Sequence, residues 1–415
     1  MNGLNINQQR LLQSIKESST IGATPNGGLH RLALSIDDKQ MRNLLTNWFE
    51  EEGLSIRVDD FGNMYGRREG KYHHQLPVVI GSHLDTQPGG GRFDGILGVL
   101  AALEVVRSLN EANIQTDRPI EIINFTNEEG ARFEPPMLGS GGVCGVFEKD
   151  FIYSRQDKDG IKFHDALSGI GYKGLKENRL QKAEYFIELH IEQGPILEKE
   201  QLEIGVVEGI QGISWISIIV EGEMNHAGPT PMENRKDAVV ASAKMIESID
   251  KLAQEYEGLK TTVGQLNVYP NVPNVISGKV EFIVDIRHEE DEQRERALEV
   301  MKQQLSTISG LCNVELTFHT SWENDSVTFS EKVIETINKC AEKRNLSTKR
   351  MFSGPGHDAK YMAEIAKTGM IFVPSHRGIS HNEEEFTRDD DLVNGANLLL
   401  DVVCQLSGAK IPKTI

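Results

Sequence analysis

Residues 76–109 read "LPVVIGSHLDTQPGGGRFDGILGVLAALEVVRSL". The opening "LPVVIGSH" is apolar at consecutive positions, the mark of a strand buried on both faces. The closing "ILGVLAALEVVRSL" is apolar over a helical length. A buried strand followed by a helix is the unit of a parallel α/β sheet, and the flanking sequence repeats it. "SIDDKQMRNLLTNWFEEEG" places Met41, Leu44, Leu45, Trp48 and Phe49 at helical spacing, with Ser35 as cap and Gly53 as stop. "LSIRVD" and "RPIEIINFTNEEG" read as strands. Past residue 212 the order becomes strand, helix, strand, strand, helix, strand, from "WISIIVEGEM" to "VELTFHT". That is the split βαβ pattern of a small α+β domain. From Phe329 the chain returns to helix, the strand "MIFVPS" and a final helix. The expected fold is an α/β domain with a mixed, largely parallel sheet, residues 1–211 and 329–415, interrupted by a βαββαβ domain at 212–328.

At 415 residues the chain exceeds the roughly 250–300 at which one core stops growing, which agrees with two domains. A net charge of -18, with no block of Lys and Arg, argues against nucleic acid as a partner. No run approaches the ~20 apolar residues of a membrane span. The segment "MNGLNINQQRLLQSIKESS" reads as an amphipathic helix, not a signal peptide. Cys144, Cys312, Cys340 and Cys404 lie far apart without a C-x-x-C pair, which fits a reducing cytoplasm.

Chemistry is expected where buried strands end, because loops at the carboxyl ends of sheet strands build α/β sites. His83 and Asp85 follow "LPVVIGS", Glu128 and Glu129 follow "IEIINFTN", His190 ends "YFIELH", and His381 follows "MIFVPS". Asp94 stands in the glycine loop. A lone loop histidine or aspartate is ordinarily just a polar residue facing water; several at successive strand ends weaken that reading considerably. Imidazole and carboxylate are ligands for divalent zinc or manganese, and two such ions roughly 3.5–4 Å apart need a shared ligand. With Asp94 as the bridge, His83, Asp94, Glu129, His190 and His381 give each ion three protein ligands and leave room for water. Cobalt or nickel would also fit. Glu128 is then the general base, and the Asp85 carboxylate is expected to hold the second ring N–H of His83. "GGGRFDG" lacks the G-K-[ST] ending of a phosphate loop. The acidic run "HNEEE" reads as charge complementing the final helix dipole.

The motifs "GSHLDTQPGGGRFDGILGV", "FTNEEGARF", "ELHIEQGPIL", "NHAGPTPMENRKDA", "PNVISGKVEFIVDIRH", "SGPGHDA" and "SHRGISHNEEE" span nearly the whole chain. Together they resemble the M20 metallopeptidase-like amidohydrolases, in the branch of N-carbamoyl-L-amino acid hydrolases, allantoate amidohydrolases and β-ureidopropionases. The resemblance implies two zinc or manganese ions, a catalytic α/β domain, and a lid domain that pairs two subunits into a homodimer and closes over a small ureido substrate. It implies that His226 reaches the partner subunit's site to stabilise an oxyanion, and that Gln193, Asn274 and Arg287 hold substrate. Arg287 suits a bidentate grip on an α-carboxylate; without the resemblance it reads as half of a surface ion pair. Allantoate-cleaving relatives are expected to carry an arginine entering the lid, where this chain has Ser214 and Trp215 in "GIQGISWIS". The expectation is therefore hydrolysis of N-carbamoyl-L-amino acids, with allantoate or a β-ureido acid as alternative substrate. A silent, metal-stabilised dimer that binds ureido compounds is the reading from another class.

Overall fold

The computed structural model describes residues 4–410. Of the amphipathic segment expected at the N-terminus, residues 1–3 lie outside that range, and Gln8–Ser18 forms a helix capped by Asn7. The chain divides into two compact units, Met1–Glu208 with Thr328–Ile415, and Gly209–Val327.

The first unit is built on a nine-stranded sheet. At its centre Ile120–Phe125, Val78–His83, Tyr185–Ile191 and Lys367–Val373 run parallel in that order. Each central strand is buried almost throughout, as consecutive apolar residues require. Antiparallel neighbours close the sheet: Met64–Arg68 on one side and Ile204–Ile210 on the other. The strand Met64–Arg68 escaped the sequence reading because Gly66 and two arginines obscure its period. Gly66 has a packing reason, since a Cβ there would lie 2.7 Å from the Phe49 ring. Helix Ile36–Glu51 starts where expected, with the Ser35 side chain accepting from Asp38 N. Helix Ile96–Glu111 is buried over nearly its whole length, which explains why it is apolar all round. From Val78–His83 the chain moves to one side for Ile120–Phe125, then returns to the other side for Tyr185–Ile191. Such a reversal opens a crevice at the carboxyl ends of the strands.

The second unit is a four-stranded antiparallel sheet in the order Glu315–Asn324, Gly212–Glu221, Lys279–His288, Lys260–Tyr269. Helices Ala238–Glu255 and Asp291–Cys312 cover one face. Ile216, Ile218, Val220, Phe282 and Val284 meet Met245, Ile249, Met301 and Leu305 there. Strand Lys279–His288 alternates half-buried and buried residues without a break, so its odd-numbered residues, Asp285 and Arg287 among them, point to the uncovered face. Among the described residues no helix is long and apolar enough to cross a membrane.

Candidate metal centre

The crevice gathers the strand-end residues. His83 is the last residue of its strand and His190 the penultimate one of its own. Glu128 and Glu129 follow Phe125 through a turn in which Asn127 takes φ 61°. Asp94 lies at the centre. Its Oδ1 is 3.2 Å from His190 Nε2 and 3.8 Å from His83 Nε2, and its Oδ2 is 3.3 Å from His381 Nε2. Glu129 Oε2 is 3.4 Å from the same His381 nitrogen. Glu128 Oε2 stands 3.5 Å from His83 Nε2. Two groups with metal-ligand geometry result, His83 with Asp94 and His190, and Asp94 with Glu129 and His381; a third joins Glu188, His190 and His357.

The ring tautomers suit cation binding. His83 Nδ1 lies 2.9 Å from the Asp85 carbonyl and His190 Nδ1 lies 3.0 Å from the Ile191 carbonyl. A carbonyl only accepts, so each Nδ1 carries a proton, and Nε2 is in each ring the nitrogen that faces Asp94, that of His190 lying also 3.1 Å from Gly95 N. The backbone is shaped for this approach: Gly95 has φ 68°, and a Cβ on it would sit 2.3 Å from the His83 ring.

Electrostatics point the same way. Burial pushes Glu128 well above the usual carboxylate range, with Asp358, Glu129 and Asp94 adding their repulsion. Glu129 rises to about 8 through burial and then Asp94. Burial lowers His83 to about 4, so its ring is neutral. Asp94 is also fully buried, which opposes ionisation, yet His190 and His381 hold it well below the usual range. Burial opposes a charge on His190, yet Asp94 raises it to about 9, and Asp94 likewise raises His381 to about 9. A divalent cation fits this donor set by taking the place of those protons, since its charge offsets both the desolvation and the mutual repulsion of the crowded carboxylates.

Residues 79–405 match the model of peptidase family M20/M25/M40. The chain belongs to that family. An N-carbamoyl-L-amino-acid amidohydrolase of Rhizobium meliloti is 42% identical over 406 residues, 96% of either chain. A ureidoglycolate hydrolase of Oryza sativa subsp. japonica is 36% identical, over 97% of this chain and 85% of its own. The crystal structure of an amidase of the hydantoinase/carbamoylase family from Burkholderia multivorans superposes with a TM-score of 0.94 at 40% identity, covering 97% of this chain and 98% of that one.

Two local expectations need correction in this M20 chain. The Asp85 carboxylate does not hold His83: its nearer oxygen is 3.9 Å from Nδ1, and the backbone carbonyl of Asp85 makes that bond instead. The carboxylate accepts from the backbone N–H groups of Glu128 and Glu129, both at 3.2 Å, and so aims the two glutamates. Consecutive amides present a better-aligned pair of donors than a ring already satisfied. The run "HNEEE" is not dipole decoration either. The final helix begins at Asp389 and carries Asp389, Asp390 and Asp391 in its first turn. Upstream of it, Glu383 accepts from Asn26 at 2.8 Å, and Glu385 is buried against the glycine loop.

Gln193 sits inside the M20 cluster, in a left-handed conformation at φ 56°. Its amide donates to Asp94 Oδ2 at 2.9 Å, while its Oε1 is buried with no hydrogen-bond partner among the described residues. The sequence reading overlooked Gln87, whose amide donates to Glu129 Oε2 at 2.9 Å. It also overlooked His357 and Asp358 of "SGPGHDA". The His357 ring is centred 4.4 Å from that of His190, and its Nε2 is another buried atom with no hydrogen-bond partner among the described residues. Glu188 was findable, because residues two apart on a strand share a face and His190 marks that face.

His226, Asn274 and Arg287 belong to the second unit. The backbone of Ala227 donates to the Asn274 carbonyl at 3.0 Å, which sets His226 and Asn274 on one two-stranded ribbon. Gly228 N donates to His226 Nδ1 at 3.0 Å, so the proton of the neutral ring is on Nε2. Arg287 pairs with Asp285, Nη2 to Oδ2 at 2.8 Å, and Trp215 Nε1 donates to the same oxygen at 3.0 Å.

Proposed function

We propose that this chain hydrolyses the ureido amide of N-carbamoyl-L-amino acids to the free L-amino acid, carbon dioxide and ammonia. One observation carries the reading: Asp94 is common to two metal-ligand groups, and Glu128 stands beside them as a member of neither. The names of the relatives in Rhizobium meliloti and Burkholderia multivorans support the substrate class. His83, Asp94 and His190 would hold one divalent ion, and Asp94, Glu129 and His381 a second, each zinc or manganese. Such a pair, when bound, supplies Lewis-acid polarisation of the carbonyl and acidifies water. Glu128 takes a proton from the attacking water and returns it to the departing nitrogen; ammonia leaves, and the carbamate of the amino acid then loses carbon dioxide. Asp85 keeps Glu128 in place through its backbone N–H. His226, with its proton on Nε2, is a donor for the developing oxyanion, supported by Asn274. Arg287, with Gln193, fixes the substrate's polar groups.

The second unit serves as lid and dimerisation domain in this reading. Its edge strand Lys260–Tyr269 leaves Leu266 and Tyr269 exposed, which supports pairing of two copies along that edge. A cytoplasmic setting suits four free cysteines. Allantoate is the second reading, favoured by the likeness to a ureidoglycolate hydrolase. Against it stands Trp215, engaged with Asp285, where a cationic grip on a second polar arm is expected.

Ammonia release decides between them. N-carbamoyl-L-methionine, N-carbamoyl-β-alanine, allantoate and a dipeptide are compared after chelation and after return of zinc or manganese. Metal-dependent release from the carbamoyl-L-amino acid is expected. Release from allantoate alone moves the chain to the second reading, and no release from a metal-loaded protein leaves the silent ureido-binding dimer.

A further inference from the structure

Glu385 has no part in the mechanism above, yet its carboxylate is buried, 4% exposed. It comes from the loop before the final helix and reaches the glycine loop almost three hundred positions earlier. Its Oε1 accepts from Phe93 N at 3.0 Å and from Asp94 N at 3.2 Å. Two consecutive amides on one oxygen fix the peptide planes on either side of Phe93 and so set the direction in which Asp94 leaves the backbone. Its Oε2 is 2.9 Å from the hydroxyl of Ser380, and that hydroxyl is 3.1 Å from Asp94 Oδ2. The residue after Ser380 is His381. A single carboxylate therefore ties the backbone of the shared ligand to the loop of a terminal ligand, through a hydroxyl whose one hydrogen is shared between it and the Asp94 side chain.

The glycine loop is built around this contact. A Cβ on Gly91 would lie 2.0 Å from the Glu385 carboxyl carbon and from its Oε1. No side chain fits there while the carboxylate is in place, although the backbone of Gly91 has no left-handed twist that would by itself demand glycine. The third glycine of "PGGGRFDG" is thus explained by the glutamate, and the glutamate by the loop.

We infer that Glu385 is the positioning residue of the metal centre: through Phe93 N, Asp94 N and Ser380 it holds Asp94 so that its two oxygens face different histidines. The inference rests on the two-ion reading proposed above. Its distinctive consequence is that losing Glu385 weakens both ions together, because the ligand it orients is shared. Losing a terminal ligand such as His381 weakens one.

The test is competition between a chromophoric chelator and the purified full-length chain for Zn²⁺ alone, with kinetics on N-carbamoyl-L-methionine in parallel. Glu385→Ala is expected to lower the affinity of both binding steps by roughly 10–100-fold, the usual effect of removing a partner that orients a ligand. It lowers kcat with little change in KM. Glu385→Gln keeps an oxygen for the two amides and restores part of both losses, which a role limited to filling space would not distinguish by affinity. Gly91→Ala displaces the carboxylate and reproduces the Glu385→Ala phenotype. In the Glu385→Ala background the added methyl has room, so Gly91→Ala costs nothing more. Should Glu385→Ala fail to fold, Glu385→Gln and Gly91→Ala carry the comparison. Unchanged Zn²⁺ affinity in these variants, loss confined to one binding step, or full additivity of Gly91→Ala with Glu385→Ala overturns the inference. A wild-type chain that binds no Zn²⁺ overturns the proposed function instead, so the two failures are distinct.

Discussion

The strand-end cluster of the first unit and the uncovered face of the second employ the same residue types in opposite settings. Around Asp94, His83 and His190 are buried and each of these two rings is aimed by a backbone carbonyl, His381 closes the cluster from the exposed side, and like charges are crowded together. On the second unit His226 and Asn274 are exposed, and Arg287 is already matched by Asp285. A buried cluster of this kind is costly to assemble and is worth its strain only for a ligand that offsets the charge. An exposed residue costs little to hold and contributes when a substrate supplies the missing partner. The first region should therefore control whether chemistry occurs at all, and the second how well a particular substrate is held.

Four experiments press on that division. Glu128→Gln should lower kcat by at least roughly 10²–10⁴-fold, the range for a general base, while Zn²⁺ stoichiometry stays at the wild-type value. Loss of metal in that variant would exchange the roles of Glu128 and Glu129. His226→Ala should lower kcat by roughly 10²–10³-fold, as for an oxyanion donor, without touching metal content. Mixing it with a metal-site variant should restore activity if the histidine acts on the partner subunit's site; a mixture as inactive as its components breaks that assignment. Arg287→Ala removes a charged hydrogen bond of about 1.5–3 kcal/mol, so KM should rise more than tenfold with kcat nearly kept. An equal fall in kcat would move Arg287 to the chemical step.

The smallest effect concerns pH. Glu129 keeps its proton up to about 8 in the protein alone, and a cation must displace it. His190 and His381, each raised to about 9, must give up a proton as well, so Zn²⁺ affinity should climb by more than tenfold per pH unit as pH rises to about 8 and flatten only above about 9. Stability of the metal-free protein follows the opposite sign. The folded carboxyl is raised above its unfolded value, so the folded state binds more protons and loses stability as pH rises from the ordinary glutamate range to about 8. A Zn²⁺ affinity independent of pH over this interval would remove Glu129 from the ligand set.

How much of this was legible beforehand varies with the kind of interaction. His83, Glu129 and His190 could be found because each stands where a buried apolar run stops. Asp94 was legible from the glycines around it, though their reason was not: Gly95 leaves room for the His83 ring, and Gly91 for Glu385. The Asp85 carboxylate was assigned to the wrong partner, because its two donors are backbone amides of another loop and backbone donors leave no trace in residue identity. Glu385 was misread because an acidic run ahead of a helix looks the same whether it faces water or a loop.

The sequence by itself determined the α/β fold class and the family of the chain, because periodicity and strand-end position are local properties of the chain. Only the tertiary structure decided which oxygen faces which ring, which tautomer each histidine holds, and that Glu385 lies under Asp94. Those outcomes depend on contacts between loops far apart in the chain, where a few tenths of an ångström separate a ligand that is aimed from one that is merely near.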